Sequence, residues 1–138
     1  MYVDTNVIVA FMDLKDPNHE RAVKLLKEGD KVTSHLTVVE LTSVYSRAGL
    51  EDPQALAIYS LEESEVELKE VDFNQVLREA FKLANKVKLK TLDLLHISSC
   101  LLIGDNEFLT FDNDIARKEA EIRELGIEVV KWGFKLRP

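Results

Sequence analysis

The chain has 138 residues, 46% hydrophobic and 31% charged, which supplies one ordinary core and is too short for two comfortable domains. One cysteine, Cys100, rules out an internal disulfide, and no stretch is long and apolar enough to span a bilayer. A net charge of −7 argues against binding nucleic acid through a broadly basic surface, so chemistry on phosphates would need acids gathered where a cation reverses the local sign.

In chain order, Met1 to Asp4 reads as a strand, with no basic region and apolar segment of a secretion signal; the cytoplasm is the expected setting. Asn6 to Phe11 is a short helix, and Pro17 to Lys27 a better one, with Pro17 in its first turn and Gly29 stopping it. Lys31 to Ser34 is a second strand. Leu36 to Ala48 and Pro53 to about Leu61 are helices, with Gly49 between them. Val66 to Val71 alternates apolar and charged residues as a half-exposed strand does. Asp72 caps a helix to about Val87, its apolar positions Val76, Leu77, Ala80, Phe81 and Ala84 falling at helical intervals. A very apolar helix opens at Thr91 or Leu92 and ends at Gly104. Glu107 to Phe111 is a strand, Asp112 starts a charged helix ending before Gly126, and Ile127 to Lys131 is the last strand. Strands separated by helices imply a parallel sheet covered on both faces, with functional residues at the carboxyl ends of its strands.

Four acids stand out against this frame. Asp4 ends the first strand; capping the next helix would explain it alone, but Asp4-Thr5-Asn6 interrupts two apolar segments with three oxygen-bearing side chains. Glu40 is the only charge in Leu36 to Val44 and shares its face with Leu36, Thr37, Ser43 and Val44, so its carboxylate is at least partly buried and needs a partner, with Arg47 as the bland choice. Asp93 sits in the first turn of the apolar helix, where the helix dipole favours any acid, and His96 shares its face. Asp112 follows a strand; it or Asp114 caps the next helix, with Asp114 a secondary ligand. Brought to one pocket, four carboxylates would repel one another unless a cation were present. Oxygen donors suit Mg2+ or Mn2+, and no Cys/His cluster has zinc spacing.

Asp4-Thr5-Asn6-Val7-Ile8, Glu40-Leu41 with five residues separating Glu40 from Ser34, Thr91-Leu92-Asp93-Leu94-Leu95-His96-Ile97-Ser98 and Leu109-Thr110-Phe111-Asp112 resemble, in order and spacing, the four motif blocks of the PIN-domain ribonucleases. The resemblance covers the whole chain. It implies an α/β three-layer sandwich with a central parallel five-stranded sheet of order 3-2-1-4-5, as a single domain over residues 1–138. It also implies a Mg2+- or Mn2+-dependent phosphodiesterase site built from Asp4, Glu40, Asp93 and Asp112. Many members of this length resemble the toxin half of VapBC-type toxin–antitoxin pairs, often dimeric, and others act in RNA processing. The expected partners are therefore an RNA substrate, an antitoxin and a second copy of the chain.

The expected reaction is hydrolysis of an RNA phosphodiester by metal-activated water, with Thr5, Asn6 and Thr110 orienting carboxylates or waters and His96 packing and hydrogen-bonding at the corner of its helix. Lys86, Lys88, Lys90, Arg117 and Lys118 are the basic residues nearest the motifs; Lys90, Arg117 and Lys118 are the candidate phosphate contacts, although charged helix faces are usually just solvated. Two alternatives stay open. One is a PIN-like protein that binds metal or a partner without catalysis. The other is an aspartyl-phosphate phosphohydrolase, which wants a second Asp where Asn6 stands.

Overall fold

The protein is described by a computed structural model over residues 1–131. Its strands are β1 (Tyr2–Val3), β2 (Val32–Thr33), β3 (Glu67–Leu68), β4 (Glu107–Leu109) and β5 (Glu128–Val130). They pair in parallel in the order β3-β2-β1-β4-β5, with Tyr2 opposite Val32 on one side and Phe108 on the other. The helices are α1 (Thr5–Met12), α2 (His19–Leu25), α3 (His35–Arg47), α4 (Pro53–Glu63), α5 (Phe73–Leu83), α6 (Thr91–Ile103), α7 (Asn113–Ala116) and α8 (Glu119–Glu124).

The two-residue period of a strand divides the interior into two cores. Tyr2, Phe108 and Val129 face one core, with Val76 and Leu83 of α5, Ile97 of α6, Ile115 of α7 and Ile122 of α8. Their neighbours Val3, Leu109 and Val130 face the other, with Val7 and Ile8 of α1, Ala22 of α2, Leu41 of α3 and Ala57 of α4. This is the expected three-layer arrangement. Burial on both faces explains why the central strand β1 is apolar at both positions, whereas the edge strand β3 carries exposed Glu67. No helix among the described residues is long and apolar enough to cross a membrane.

The elements differ from the expected ones mainly at their ends. The strands keep two or three residues each, because Asp4, Ser34 and Asp112 are already N-caps of the helices that follow. Pro17 lies in a turn ahead of α2, with Asp16 accepting from the backbone N–H of Asn18 (2.7 Å) and His19 (2.9 Å). The helix from Asp72 closes at Leu83, and Lys86 and Val87 donate back to its carbonyl. The charged helix expected from Asp112 to Gly126 is two pieces. The chain turns at Arg117 and Lys118, and Ile115 and Ile122 on either side of the turn are both fully buried. Gly104, at φ 87°, closes α6 in the left-handed conformation that glycine adopts without a Cβ penalty. Residues 132–138 of the expected 1–138 domain lie outside the described residues.

Candidate active site

In the strand order, β1 stands between β2 and β4, so the chain leaves β1 and β4 on different sides of the sheet and opens a crevice at their carboxyl ends. Asp4 emerges there from β1 and Thr110 to Asp112 from β4, while α3 and α6 carry Glu40 and Asp93 over the same place. Asp4, Glu40, Asp93 and Asp112 all line one open cleft of about 330 Å3, together with Thr5, Asn6 and Asp16.

Three of the four acids, Asp4, Glu40 and Asp112, are held by hydrogen bonds. Asp4 is 5% exposed; its Oδ1 accepts the Thr5 backbone N–H (2.8 Å), and its Oδ2 accepts the Thr110 hydroxyl (2.8 Å) and, more weakly, the Asn6 amide (3.4 Å). The Thr110 hydroxyl also receives the backbone N–H of Asp112 (2.9 Å), so one oxygen fixes two of the acids. Asn6 is itself tied to this strand end, its Oδ1 accepting from Phe111 N–H (3.2 Å). Glu40 Oε1 accepts the Thr5 hydroxyl (2.7 Å) and a hydrogen bond from His96 Nε2, which leaves Oε2 without a hydrogen bond among the described residues. Asp112 caps α7 through Asp114 N–H (2.8 Å).

Electrostatics separates these acids. Burial first, and then the nearby charges of Asp112, Asp4 and Glu40, together raise Asp93 to about 6 against the opposing pull of His96. Asp4 is also raised, first by burial and then by Glu40, although His96, Thr110 and Thr5 pull the other way. Burial acts to raise Glu40 as well, but the hydrogen bond and charge of His96, with the Thr5 hydroxyl, hold it below its ordinary value. His96 is 1% exposed; burial would lower it, yet Tyr2, the Glu40 hydrogen bond and the Asp4 charge raise it to about 10.

Ligand-type atoms of Asp4, Glu40 and His96 lie within 4.8 Å of one another, which is a spacing a metal could use. His96, however, spends both ring nitrogens, Nδ1 on the Tyr2 hydroxyl (2.8 Å) and Nε2 on Glu40, and an imidazolium has no lone pair for a metal. It is a positioning residue for Glu40, and the donors open to a cation are carboxylate oxygens. That donor set fits a hard divalent ion, and the raised Asp93 marks uncompensated negative charge at that point. Asp114 faces elsewhere: it is exposed, pairs with Arg117 (2.7 Å) and Lys90 (4.0 Å), and does not line the cleft. None of the three expected phosphate contacts lines the cleft: Lys90 and Arg117 lie beside Asp114, and Lys118 lies 3.8 Å from Glu121.

Sequence reasoning missed three parts of the site. The partner of Glu40 is His96; Arg47, the bland alternative, instead donates to the Ser43 carbonyl. Tyr2 links His96 to Ser34, its hydroxyl 2.7 Å from the Ser34 oxygen; inside an apolar strand it read only as core. Asp16, which also lines the cleft, gave no signal in the sequence.

A family model described as the PIN domain matches residues 1–121. Among solved structures, the chain is similar to VapC20 of Mycobacterium tuberculosis, described as a sarcin-ricin-loop-cleaving toxin. That match has 18% identity and a TM-score of 0.68 over 84% of this chain and 92% of that one. It is also similar to VapBC-1 of nontypeable Haemophilus influenzae (21% identity, TM-score 0.62, 95% of this chain and 96% of that one). A third match is VapBC2 of Rickettsia felis bound to a promoter DNA fragment (15%, 0.63, 95% and 97%). At these identities the likeness is one of fold. The comparison with curated proteins finds no match.

Proposed function

The chain belongs to the PIN-domain family, and on that premise we propose that it is a Mg2+- or Mn2+-dependent endoribonuclease acting as the toxin of a toxin–antitoxin pair. The observation that carries the reading is Asp93, held near 6 by burial and by the charges of Asp112, Asp4 and Glu40, a cluster that a divalent cation would relieve. Asp4, Glu40, Asp93 and Asp112 would hold that cation. When bound, it lowers the pKa of water so that hydroxide can attack phosphorus, and it offsets charge building on the phosphate.

The chain's own residues do the rest by positioning. Thr110 fixes Asp4 and the start of Asp112, and Thr5 and His96 hold Glu40 by one oxygen so that the other is presented to the cleft. Such preset ligands need no reorganisation as the reaction proceeds. A phosphoenzyme on Asp4 is disfavoured, because Asn6 stands where that mechanism wants a second Asp.

An apolar groove formed by Val9, Met12, Val44, Tyr45 and Leu56 adjoins the acidic cleft, sharing Val9 and Val44 with it. We assign it to an apolar segment of the antitoxin, which from there would reach the site. Phe73, Leu77 and Phe81 form an exposed stripe one helical turn apart on α5, Phe81 at 85% exposure, and offer the face for a homodimer. An RNA substrate places the action in the cytoplasm, and the sheet with a core on each face is read as the single domain of the chain. Incubation with single-stranded RNA tests the activity. Cleavage with Mg2+ or Mn2+ that stops with EDTA and falls at least a hundredfold in Asp4→Asn is expected. Cleavage that persists in Asp4→Asn contradicts the assignment, and a wild type that binds Mn2+ without cleaving leaves a binding protein.

A further inference from the structure

The acidic cleft continues into a second depression of about 270 Å3 on the far side of Asp112, lined by Asn18, Arg21, Phe111, Asn113 and Lys131. We propose that this depression is a substrate subsite, in which Arg21 and Lys131 contact the RNA phosphate that flanks the one being cut. The assignment rests on the ribonuclease reading and adds to it the place where the strand is held.

A strand crossing the acidic cleft brings more than one phosphate, and a cation among the carboxylates answers only the charge of the phosphate beside it. The next phosphate needs its own cationic partner, in a protein with a net charge of −7. The basic residues closest to the motifs in sequence, Lys90, Arg117 and Lys118, line neither depression. Arg21 and Lys131 come instead from α2 and the end of β5, remote in sequence, and meet beside Asp112.

Both are partly buried and already oriented. Arg21 donates to Asn18 Oδ1 (2.9 Å), and Lys131 to Glu119 Oε1 (2.9 Å). A guanidinium on a short tether presents a planar fork that suits phosphate oxygens, at a smaller ordering cost than a free surface lysine. The amides of Asn18 and Asn113 add donors and acceptors for a ribose hydroxyl or a base edge, and Phe111 adds a ring on which an unpaired base can stack. The depression therefore has the chemistry of a single-stranded RNA contact, with two cationic side chains that the cleft it joins does not have.

Binding of a fluorescein-labelled single-stranded RNA, read by anisotropy with Ca2+ in place of Mg2+ and the probe checked intact on a gel, tests the subsite. Arg21→Gln and Lys131→Gln should each weaken Kd on the order of tenfold and flatten the dependence of log Kd on log salt by about 0.7. The rise in Tm on adding Mn2+ should stay at the wild-type value in both. Thermal unfolding shows whether each variant folds, and Lys131→Gln carries the test if Arg21→Gln does not. A Kd and salt slope equal to wild type in the folded variants overturn the subsite, and so does a wild type that does not bind the probe. Weakened binding in a protein that never cleaves RNA supports the subsite and overturns the ribonuclease reading alone.

Discussion

At the scale of single residues, the site is organised by groups that do not themselves face the substrate. His96 is the clearest case, since one imidazole joins Tyr2 and Ser34 below it to Glu40 above. Replacing it by Leu keeps the volume close but leaves the Tyr2 hydroxyl and Glu40 each short of a partner. We expect His96→Leu to cost about 2 kcal/mol in urea unfolding and to reduce kcat more than KM, because Glu40 loses its orientation. Stability equal to wild type would mean that the hydrogen bonds are not made. The four acids were legible in the sequence for local reasons: Asp4 and Asp112 interrupt strand-to-helix junctions, and Glu40 is a lone charge on an apolar stretch. The Tyr2–His96 bond was not, because it spans 94 positions and Tyr2 looks like any core aromatic.

At the scale of elements, hydrophobic period and end signals placed every strand and nearly every helix, and apart from the split of the last helix only ends moved. Where a cap was spelled out, as at Asp72 before α5, the boundary was right; Asp72 Oδ1 accepts from Asn74 (2.9 Å) and Gln75 (3.4 Å) N–H. Asp72→Ala should lower stability by about 1 kcal/mol while leaving cleavage unchanged, since neither Asp72 nor any residue of α5 lines the cleft. A loss of activity in that variant would tie α5 to the site. The split between α7 and α8 was not legible, because residues 112–126 offer no glycine or proline at the turn and only the burial of both Ile115 and Ile122 requires it.

At the scale of the molecule, charge repulsion at the site couples metal, protons and stability. Asp93 is raised from 3.8 to about 6, so the folded metal-free protein binds that proton more tightly than the unfolded chain, and stability should fall as pH rises across this interval. His96 is raised from 6.5 to about 10, so its contribution is complete below 6.5 and is lost as pH rises towards 10. Thermal unfolding in EDTA should therefore show Tm declining through both windows, with the first decline shallower in Asp93→Asn, where the raised Asp4 remains. A flat Tm across the lower window would contradict the repulsion. Cation binding opposes the same repulsion, so Mn2+ should stabilise more strongly above pH about 6 than below it.

The most direct test of the convergence of Asp4, Glu40, Asp93 and Asp112 is calorimetric titration of Mn2+ into the wild type and Asp93→Asn at neutral pH. The account predicts saturable binding to the wild type, with affinity reduced at least tenfold in Asp93→Asn and with the metal-free variant unfolding at a higher temperature. Equal affinity in the two proteins, or no binding to either, would contradict it.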